Sequence, residues 1–319
     1  MWLIYSLLAA FSFGIRGILY QWTSRKPADQ NLMLFGVFFM GAVGSLLFAF
    51  VYDQQWTPAA WAGCLMGVWS FVGNAAMYRG YAVGKASLVA VLTALPPVVV
   101  ALLAFALWGE TLTPWQTIAF FVIVTGVVLI RYASDLSLGD LKGLHWGMLA
   151  LFAFGFNDIT SKQSMRWEAD IYPVMFLMFA TGSLLFGLIW YRQRRRPVDE
   201  LPRPASANGS ANEAAAAPAA AETVTGRHPS SAEGGPKPWR PLPTFAWGMA
   251  VGLTNLSGMA FILQGFANGV TGLVSAVTAL NVLMILLYAR VFLKEKFNTR
   301  ELAGIVCSAA GVMILHLAG

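Results

Sequence analysis

The sequence has few charged residues and few of the side chains on which enzymes and disulfide-bonded proteins depend. Of its 319 residues 11% are charged, against about 25% in soluble domains, and there are three histidines and two cysteines. Cys64 and Cys307 both lie inside apolar blocks, so no disulfide framework is expected. The absence of H-E-x-x-H, G-x-S-x-G and paired-aspartate motifs predicts no enzyme, no metal site and no cofactor.

Hydrophobic residues make up 57% of the chain and fall into blocks of about 20 residues. An apolar helix of that length spans the ~30 Å hydrocarbon core of a bilayer. The first block lacks the charged start and cleavage site of a signal peptide, so we expect it to be retained. The pattern predicts an all-α membrane protein with ten transmembrane helices at about 2–22, 31–51, 60–78, 87–108, 115–131, 145–165, 171–191, 244–263, 271–292 and 301–318.

The two halves of the chain resemble each other. "GYAVGKASLVAVLTAL" from residue 80 aligns without gaps with "GFANGVTGLVSAVTAL" from residue 265, and "LLAAFSFGIRGI" from residue 7 aligns with "MLALFAFGFNDI" from residue 148. Because five is odd, two five-helix repeats must be inverted relative to each other. We therefore expect one repeat over 1–133 and a second over 143–318. The second is interrupted at 192–243 by a segment rich in Ala, Pro, Ser and Gly, which predicts a disordered cytoplasmic linker.

The basic residues predict an orientation in the cell membrane. All 21 lysines and arginines except Arg16, Lys162 and Arg166 fall in or beside loops that share one face in this topology. The positive-inside rule places that face in the cytoplasm and both termini outside. The net charge of +6 thus gives no reason to expect nucleic acid as a partner. A basic run is expected either to lie on anionic lipid or to act as an ordinary orientation signal: Arg192, Arg194, Arg195 and Arg196.

A family resemblance follows from the fourth and fifth helices of each half. Residues 86–130 combine a small-residue entry, a proline, a "GETLT" turn and a late glycine, and the second half matches except for Val282 at the proline position. The chain resembles the EamA-type members of the drug/metabolite transporter superfamily. The resemblance implies a secondary carrier, often an exporter of amino acids, metabolites or drugs. It also implies a cavity lined by the first four helices of each half, with the fifth helices peripheral.

Two ionisable residues inside predicted helices are the leading candidates for a binding site, because charge at membrane depth is costly. Arg16 is suited to a carboxylate or phosphate, although its side chain is long enough to reach the headgroups instead. Asp158 is suited to a cationic group or a coupled proton, although Lys162 lies one turn on and offers a neutralising partner. The repeat aligns Arg16 with Asn157, so both first helices carry polar groups at equivalent places.

Other polar groups and a proline pair complete the candidate site. Asn74, Asn255 and Asn281 are expected either to line a polar path or to join helices through hydrogen bonds worth about 0.6 kcal/mol. Pro96 and Pro97 interrupt the fourth block, where they predict a hinge or a static kink. Glu110 and Glu295 are expected to brace the turns into the helices that follow them.

The function predicted first is export of a small polar or zwitterionic, amino-acid-like metabolite by alternating access. In this reading Arg16 holds the anionic end of the substrate, and Asp158 holds the cationic end or a proton. Two alternatives stay open: a broad-specificity drug efflux carrier, and a receptor or scaffold that acts through the linker. A homodimer is compatible with the sequence but is not required by it.

Overall fold

A computed structural model describes residues 1–24, 26–83, 86–131, 143–195, 239–292 and 299–317. Arg196, Glu295 and positions 196–238 of the predicted linker lie outside these ranges. Within them the chain forms twelve α-helices, and a short 3-10 helix, Pro58–Trp61, precedes the third. The α-helices are α1 (Trp2–Ser24), α2 (Gln30–Val51), α3 (Ala62–Val83), α4 (Ala86–Leu92), α5 (Pro96–Trp108), α6 (Pro114–Arg131), α7 (Leu144–Arg166), α8 (Ile171–Arg195), α9 (Pro241–Asn268), α10 (Thr271–Thr278), α11 (Asn281–Phe292) and α12 (Thr299–Leu317).

The prediction of an all-α membrane protein is confirmed. Eight stretches of the described chain are long and apolar enough to cross a bilayer, and two of these stretches contain a helix pair, α4 with α5 and α10 with α11. The helices α3 and α7, with 22 and 23 residues, have spanning length but are less apolar. They are less apolar partly because they carry candidate polar residues: Asn74 on α3, and Asn157 and Asp158 on α7.

The helix boundaries follow the internal repeat. The alignment of residue 80 with 265 places the first residues of α4, α5 and α6 on the first residues of α10, α11 and α12. The alignment of residue 7 with 148 does the same for α2 and α8. At the long connection, α8 continues to Arg195 and α9 begins at Pro241, so the helices extend a few residues into both ends of the predicted linker.

Packing between the halves is reciprocal. On α2, a Cβ at Gly41 would lie 2.6 Å from the Phe179 ring, and on α8 a Cβ at Gly182 would lie 2.3 Å from the Phe38 ring. The repeat pairs Gly41 with Gly182 and Phe38 with Phe179, so one contact occurs twice across a pseudo-two-fold axis. The two ring centroids are 5.8 Å apart. Only glycine lets the rings approach the facing backbone this closely, which fixes the spacing of the two antiparallel helices.

The fourth and ninth predicted helices are each broken in two, which corrects the expectation that Pro96 and Pro97 lie inside one helix. The chain leaves helical geometry after Leu92, and Pro96 opens the next helix, where its missing N–H costs no hydrogen bond. The second half breaks at the same place, 279–280, without a proline. The same short-range hydrogen bond occurs in both halves. The N–H of Leu95 donates to the carbonyl of Leu92 (3.2 Å), and the N–H of Leu280 donates to the carbonyl of Val277 (3.1 Å).

Interloop hydrogen bonds show which connections share a face. The N–H of Trp239, before α9, donates to the carbonyl of Pro27, between α1 and α2 (2.9 Å). At the other end of α2, the N–H of Gln55 donates to Asp170, before α8 (2.6 Å). The connections therefore separate into two groups on opposite faces, with Lys26 on the first face and Asp170 on the second.

Candidate functional site

A cavity of about 330 Å³ lies between the two halves. Its walls come from the first four spans of each half, as the resemblance implies, and from the end of α6, the fifth span of the first half. All eight residues that the sequence singled out for a binding site or hinge border it: Arg16, Asn74, Pro96, Pro97, Asn157, Asp158, Asn255 and Asn281. The volume lies within the range of small-molecule sites.

The side chain of Arg16 points into this cavity instead of reaching along α1 to the headgroups. One of its terminal nitrogens donates to Asn255 Oδ1 on α9. The guanidinium carbon lies 4.4 Å from the centre of the Phe13 ring and 5.8 Å from that of Tyr20. No carboxylate in the described part of the chain forms an ion pair with it. The cation is thus held by an amide oxygen and aromatic faces, and further N–H donors are left for an anion.

Asp158 borders the same cavity from α7. Its Oδ2 accepts a hydrogen bond from Ser275 Oγ on α10 (2.6 Å). Lys162, the neutralising partner weighed from the sequence, forms its ion pair elsewhere, with Glu110. The carboxylate therefore has a neutral hydroxyl partner and no ion-pair partner among the residues described.

The hydrogen bonds of Arg16 and Asn157 are related by the internal repeat. The repeat pairs Arg16 with Asn157 and Asn255 with Ser70. In the structure Arg16 bonds to Asn255, and Ser70 Oγ donates to Asn157 Oδ1 (3.2 Å). The same two repeat positions are therefore joined twice, and each hydrogen bond connects one half to the other. The chemistry differs, because a cation in the first half stands where a neutral amide stands in the second.

Both helix breaks lie at the cavity wall. Thr93 and Ala94 border it from the first half, and Thr278 and Ala279 border it from the second. The following helices, α5 and α11, begin there, so the positive ends of their dipoles lie at the cavity. Thr278 is 6% exposed, and its Oγ1 has no hydrogen-bond partner among described residues, which leaves a buried hydroxyl for a ligand.

A second set of interacting polar residues joins helices at the face that carries Asp170. Glu110 accepts hydrogen bonds from the backbone N–H (2.8 Å) and the hydroxyl (3.0 Å) of Thr271, the first residue of α10. Lys162 Nζ lies 3.6 Å from Glu110 Oε1 and donates to the carbonyls of Phe266 (2.7 Å) and Gly269 (2.8 Å). We call these five residues the Glu110 cluster. Glu110 therefore caps a helix of the other half, and the prediction that it braces the next helix, α6, is wrong.

The cavity extends towards the opposite face. A second cavity of about 210 Å³ reaches the solvent-exposed Lys26 and is bordered by Tyr78, Tyr81 and Gln30. The two cavities share wall residues, which makes them adjoining parts of one path: Gly17, Tyr20, Met77, Arg131 and Ile285. In this conformation the path leads to the Lys26 face, and the Glu110 cluster ties three helices together at the other face.

The sequence did not single out six further polar residues of the wall: Tyr20, Ser70, Thr93, Arg131, Ser275 and Thr278. Serine and threonine are common in helices, so the residue type alone does not indicate a binding site. The internal repeat could have indicated Ser70, because it aligns with the predicted site residue Asn255. Arg131 was assigned to a basic loop. Its helix, α6, packs mainly on α12 as the resemblance implies for a fifth span, but Val127 and Arg131 at its end border the cavity.

The remaining candidates lie away from the cavity. Arg194 and Arg195 lie over the rings of Trp190 (5.5 Å) and Tyr191 (4.4 Å) at the end of α8, on exposed surface. A site on anionic lipid there stays a prediction. In the described ranges no group of three or more His, Cys, Asp or Glu side chains could hold a metal ion, and both cysteines are free thiols.

Comparison with known proteins agrees with this architecture. The model of the EamA-like transporter family matches residues 1–132 and 227–317. Among solved structures that match, one crystal structure has a TM-score of 0.68 at 12% sequence identity, and the match covers 99% of both chains. At that identity the likeness shows the fold alone. No curated protein sequence matches the chain.

Proposed function

The chain belongs to the EamA-like transporter family, and from that premise we propose that it exports a small polar or zwitterionic, amino-acid-like metabolite by alternating access. As a member of this family it is a transporter of the drug/metabolite type. The observation that carries the proposal is the placement of Arg16 and Asp158. They border one cavity, come from equivalent helices of the two halves, and do not neutralise each other.

Arg16 binds the carboxylate of the substrate in this proposal. Its planar guanidinium matches two oxygens, and removing it from water is offset only when an anion or strong acceptors replace the water. Asn255 Oδ1 supplies one such acceptor in the structure, and the cavity beside it leaves room for the substrate. Asp158 binds the ammonium group of the substrate or carries a coupling proton, and Ser275 orients it.

The direction of transport is proposed from the path and the charge pattern together. The cavity opens towards the Lys26 face, and the positive-inside rule assigns that face to the cytoplasm. A substrate thus enters from the cytoplasm. Release on the other side requires the Glu110 cluster to separate, with the broken helices α4–α5 and α10–α11 taking part in the movement, as in other carriers with inverted repeats.

Transport by purified protein in proteoliposomes, with and without a pH gradient, tests the proposal. Arg16→Gln keeps a donor for Asn255 and removes the charge, and Asp158→Asn keeps an acceptor for Ser275. We expect both to lower transport of a zwitterion at least tenfold. Asp53→Asn is the matched control, since Asp53 is exposed with a φ of 50° that asparagine also tolerates.

The two roles of Asp158 separate in the same assay. If it carries a proton, Asp158→Asn abolishes pH-driven accumulation but leaves downhill exchange. If it binds the ammonium group, both are lost. Full activity of both variants under both conditions would refute the site assignment.

A further inference from the structure

The last residue of α6, Arg131, occupies an unusual place for a basic residue at a helix end. It borders both cavities, at the point where they adjoin. Its Nε is shielded from solvent and has no hydrogen-bond partner among described residues. The exposed Arg79 and Arg166, by contrast, lie over the rings of Trp146 and Trp108.

The ordinary explanations for a basic residue here account for its charge but not for its direction. A cation at a helix C-terminus interacts favourably with the helix dipole, and a cation at this face fits the positive-inside rule. Both effects are satisfied by a side chain that extends into solvent. Arg131 is partly buried at the cavity wall instead, one helical turn beyond Val127, which also borders the cavity.

The charges of the cavity wall do not balance. Its described arginines and carboxylates are Arg16, Arg131 and Asp158. A simple zwitterion pairs its carboxylate with Arg16 and its ammonium with Asp158, which leaves the guanidinium of Arg131 without a counter-charge from the described part of the wall. Arg131 is partly buried, and an anion stabilises a cation that has lost part of its hydration, so a ligand that supplies a second anion is favoured.

We propose that Arg131 binds a second oxyanion of the substrate, so that the preferred class carries two anionic groups and one amine. This inference rests on the proposed function and narrows its substrate class to acidic amino acids and their close analogues. Arg131 lies where the path from the Lys26 face enters the main cavity. It therefore meets the substrate on entry, and its planar fork suits a carboxylate bound through two oxygens.

Glutamate and glutamine form the decisive pair of probes, because they have nearly the same shape and differ in one anionic group. We expect the wild-type carrier to transport glutamate, or its shorter homologue aspartate, with at least tenfold higher kcat/KM than the matching amide. In Arg131→Gln this preference falls about tenfold to hundredfold, the usual range for a lost charge-assisted hydrogen bond. Arg131→Lys keeps the charge without the fork and recovers part of the preference.

Arg79→Gln is the control, since it removes an exposed arginine at the end of α3, on the same face. Thermal shift of the same variants with glutamate, glutamine, aspartate and asparagine reads binding without transport. The proposal is overturned if wild type prefers the amides, or if the kcat/KM ratio of glutamate to glutamine is the same in Arg131→Gln as in wild type. Either result leaves the zwitterion site intact. The absence of a shift with either acidic amino acid also overturns it. By contrast, unchanged transport in Arg16→Gln and Asp158→Asn refutes the assignment of the zwitterion site itself.

Discussion

Removing the charge of Glu110 tests the movement that alternating access requires. In the structure Glu110 joins Lys162 on α7 to Thr271 on α10. Glu110→Gln keeps the size of the side chain and one acceptor for Thr271, but it leaves the Lys162 ammonium without a counter-charge. We expect the conformation that opens on this face to become more populated, because water can solvate both partners there.

The magnitude follows from the geometry of the ion pair. At 3.6 Å and an effective dielectric constant of ~20, the attraction is about 4–5 kcal/mol. The two side chains are 10% and 16% exposed, so some solvent reaches them, and the introduced glutamine keeps a neutral hydrogen bond. These effects reduce the expected shift to about 2 kcal/mol, or about thirtyfold in the ratio of the two conformations.

Thiol labelling from the Glu110 face measures this shift. Both native cysteines, Cys64 and Cys307, are free and are replaced by alanine, and Thr278→Cys supplies a reporter in the cavity wall. Thr278 suits this purpose because its hydroxyl has no partner among the described residues to lose. A membrane-impermeant maleimide applied to sealed vesicles should label the Glu110→Gln reporter up to about thirtyfold faster than the Glu110 parent.

Two further variants make the outcome decisive. Lys162→Met removes the other half of the ion pair and two hydrogen bonds to backbone carbonyls, and it should raise labelling at least as much. Glu168→Gln removes an exposed carboxylate just beyond α7 and should leave the rate unchanged. Equal labelling rates in the parent, Glu110→Gln and Lys162→Met, with all three folded, would contradict the view that the cluster holds this face closed.

Two predictions concern stability in detergent. Gly41→Ala places a Cβ 2.6 Å from the buried Phe179 ring, so we expect the free energy of unfolding to fall by about 1–3 kcal/mol, measured as a lower Tm. Gly187→Ala places its Cβ 3.2 Å from a partly exposed ring, and its stability should stay within about 1 kcal/mol of wild type. Equal losses of stability in the two variants would contradict the close approach at Gly41. Asn281→Pro should be tolerated because the helix begins there, as at the equivalent proline of the first half. Leu283→Pro, which loses a 2.9 Å backbone bond, should cost about 3 kcal/mol; similar Tm values for these two variants would argue against the break.

The sequence predicted the membrane fold because hydrophobic length and an internal repeat are both local patterns. The ten hydrophobic blocks and the two alignments of the internal repeat were enough to identify equivalent helices in the two halves. The first residues of α5 and α11 lie at equivalent positions of that repeat. The break between α10 and α11 was missed, because Ala279 and Leu280 carry no signal and only the first half has prolines. The repeat itself offered the clue, since a break in one half predicts one in the other.

Long-range partners were harder to predict than positions. Glu110 was expected to stabilise the next helix, and its true partners lie more than fifty residues away along the chain, at Lys162 and Thr271. Arg131 was missed for a different reason. A basic residue at the end of a span has a sufficient explanation in membrane orientation, and only the three-dimensional cavity shows that its guanidinium borders a path.

The reciprocal glycine–phenylalanine contacts between α2 and α8 have a consequence for assembly. Contacts in which position i meets j and j meets i define an isologous interface, the kind found between identical subunits related by a two-fold axis. Here such an interface lies inside one polypeptide, so Gly41 with Phe179 and Gly182 with Phe38 amount to a dimer interface with both copies fused. The two halves, produced as separate chains divided between α6 and α7, should therefore recognise each other in the membrane without a covalent connection.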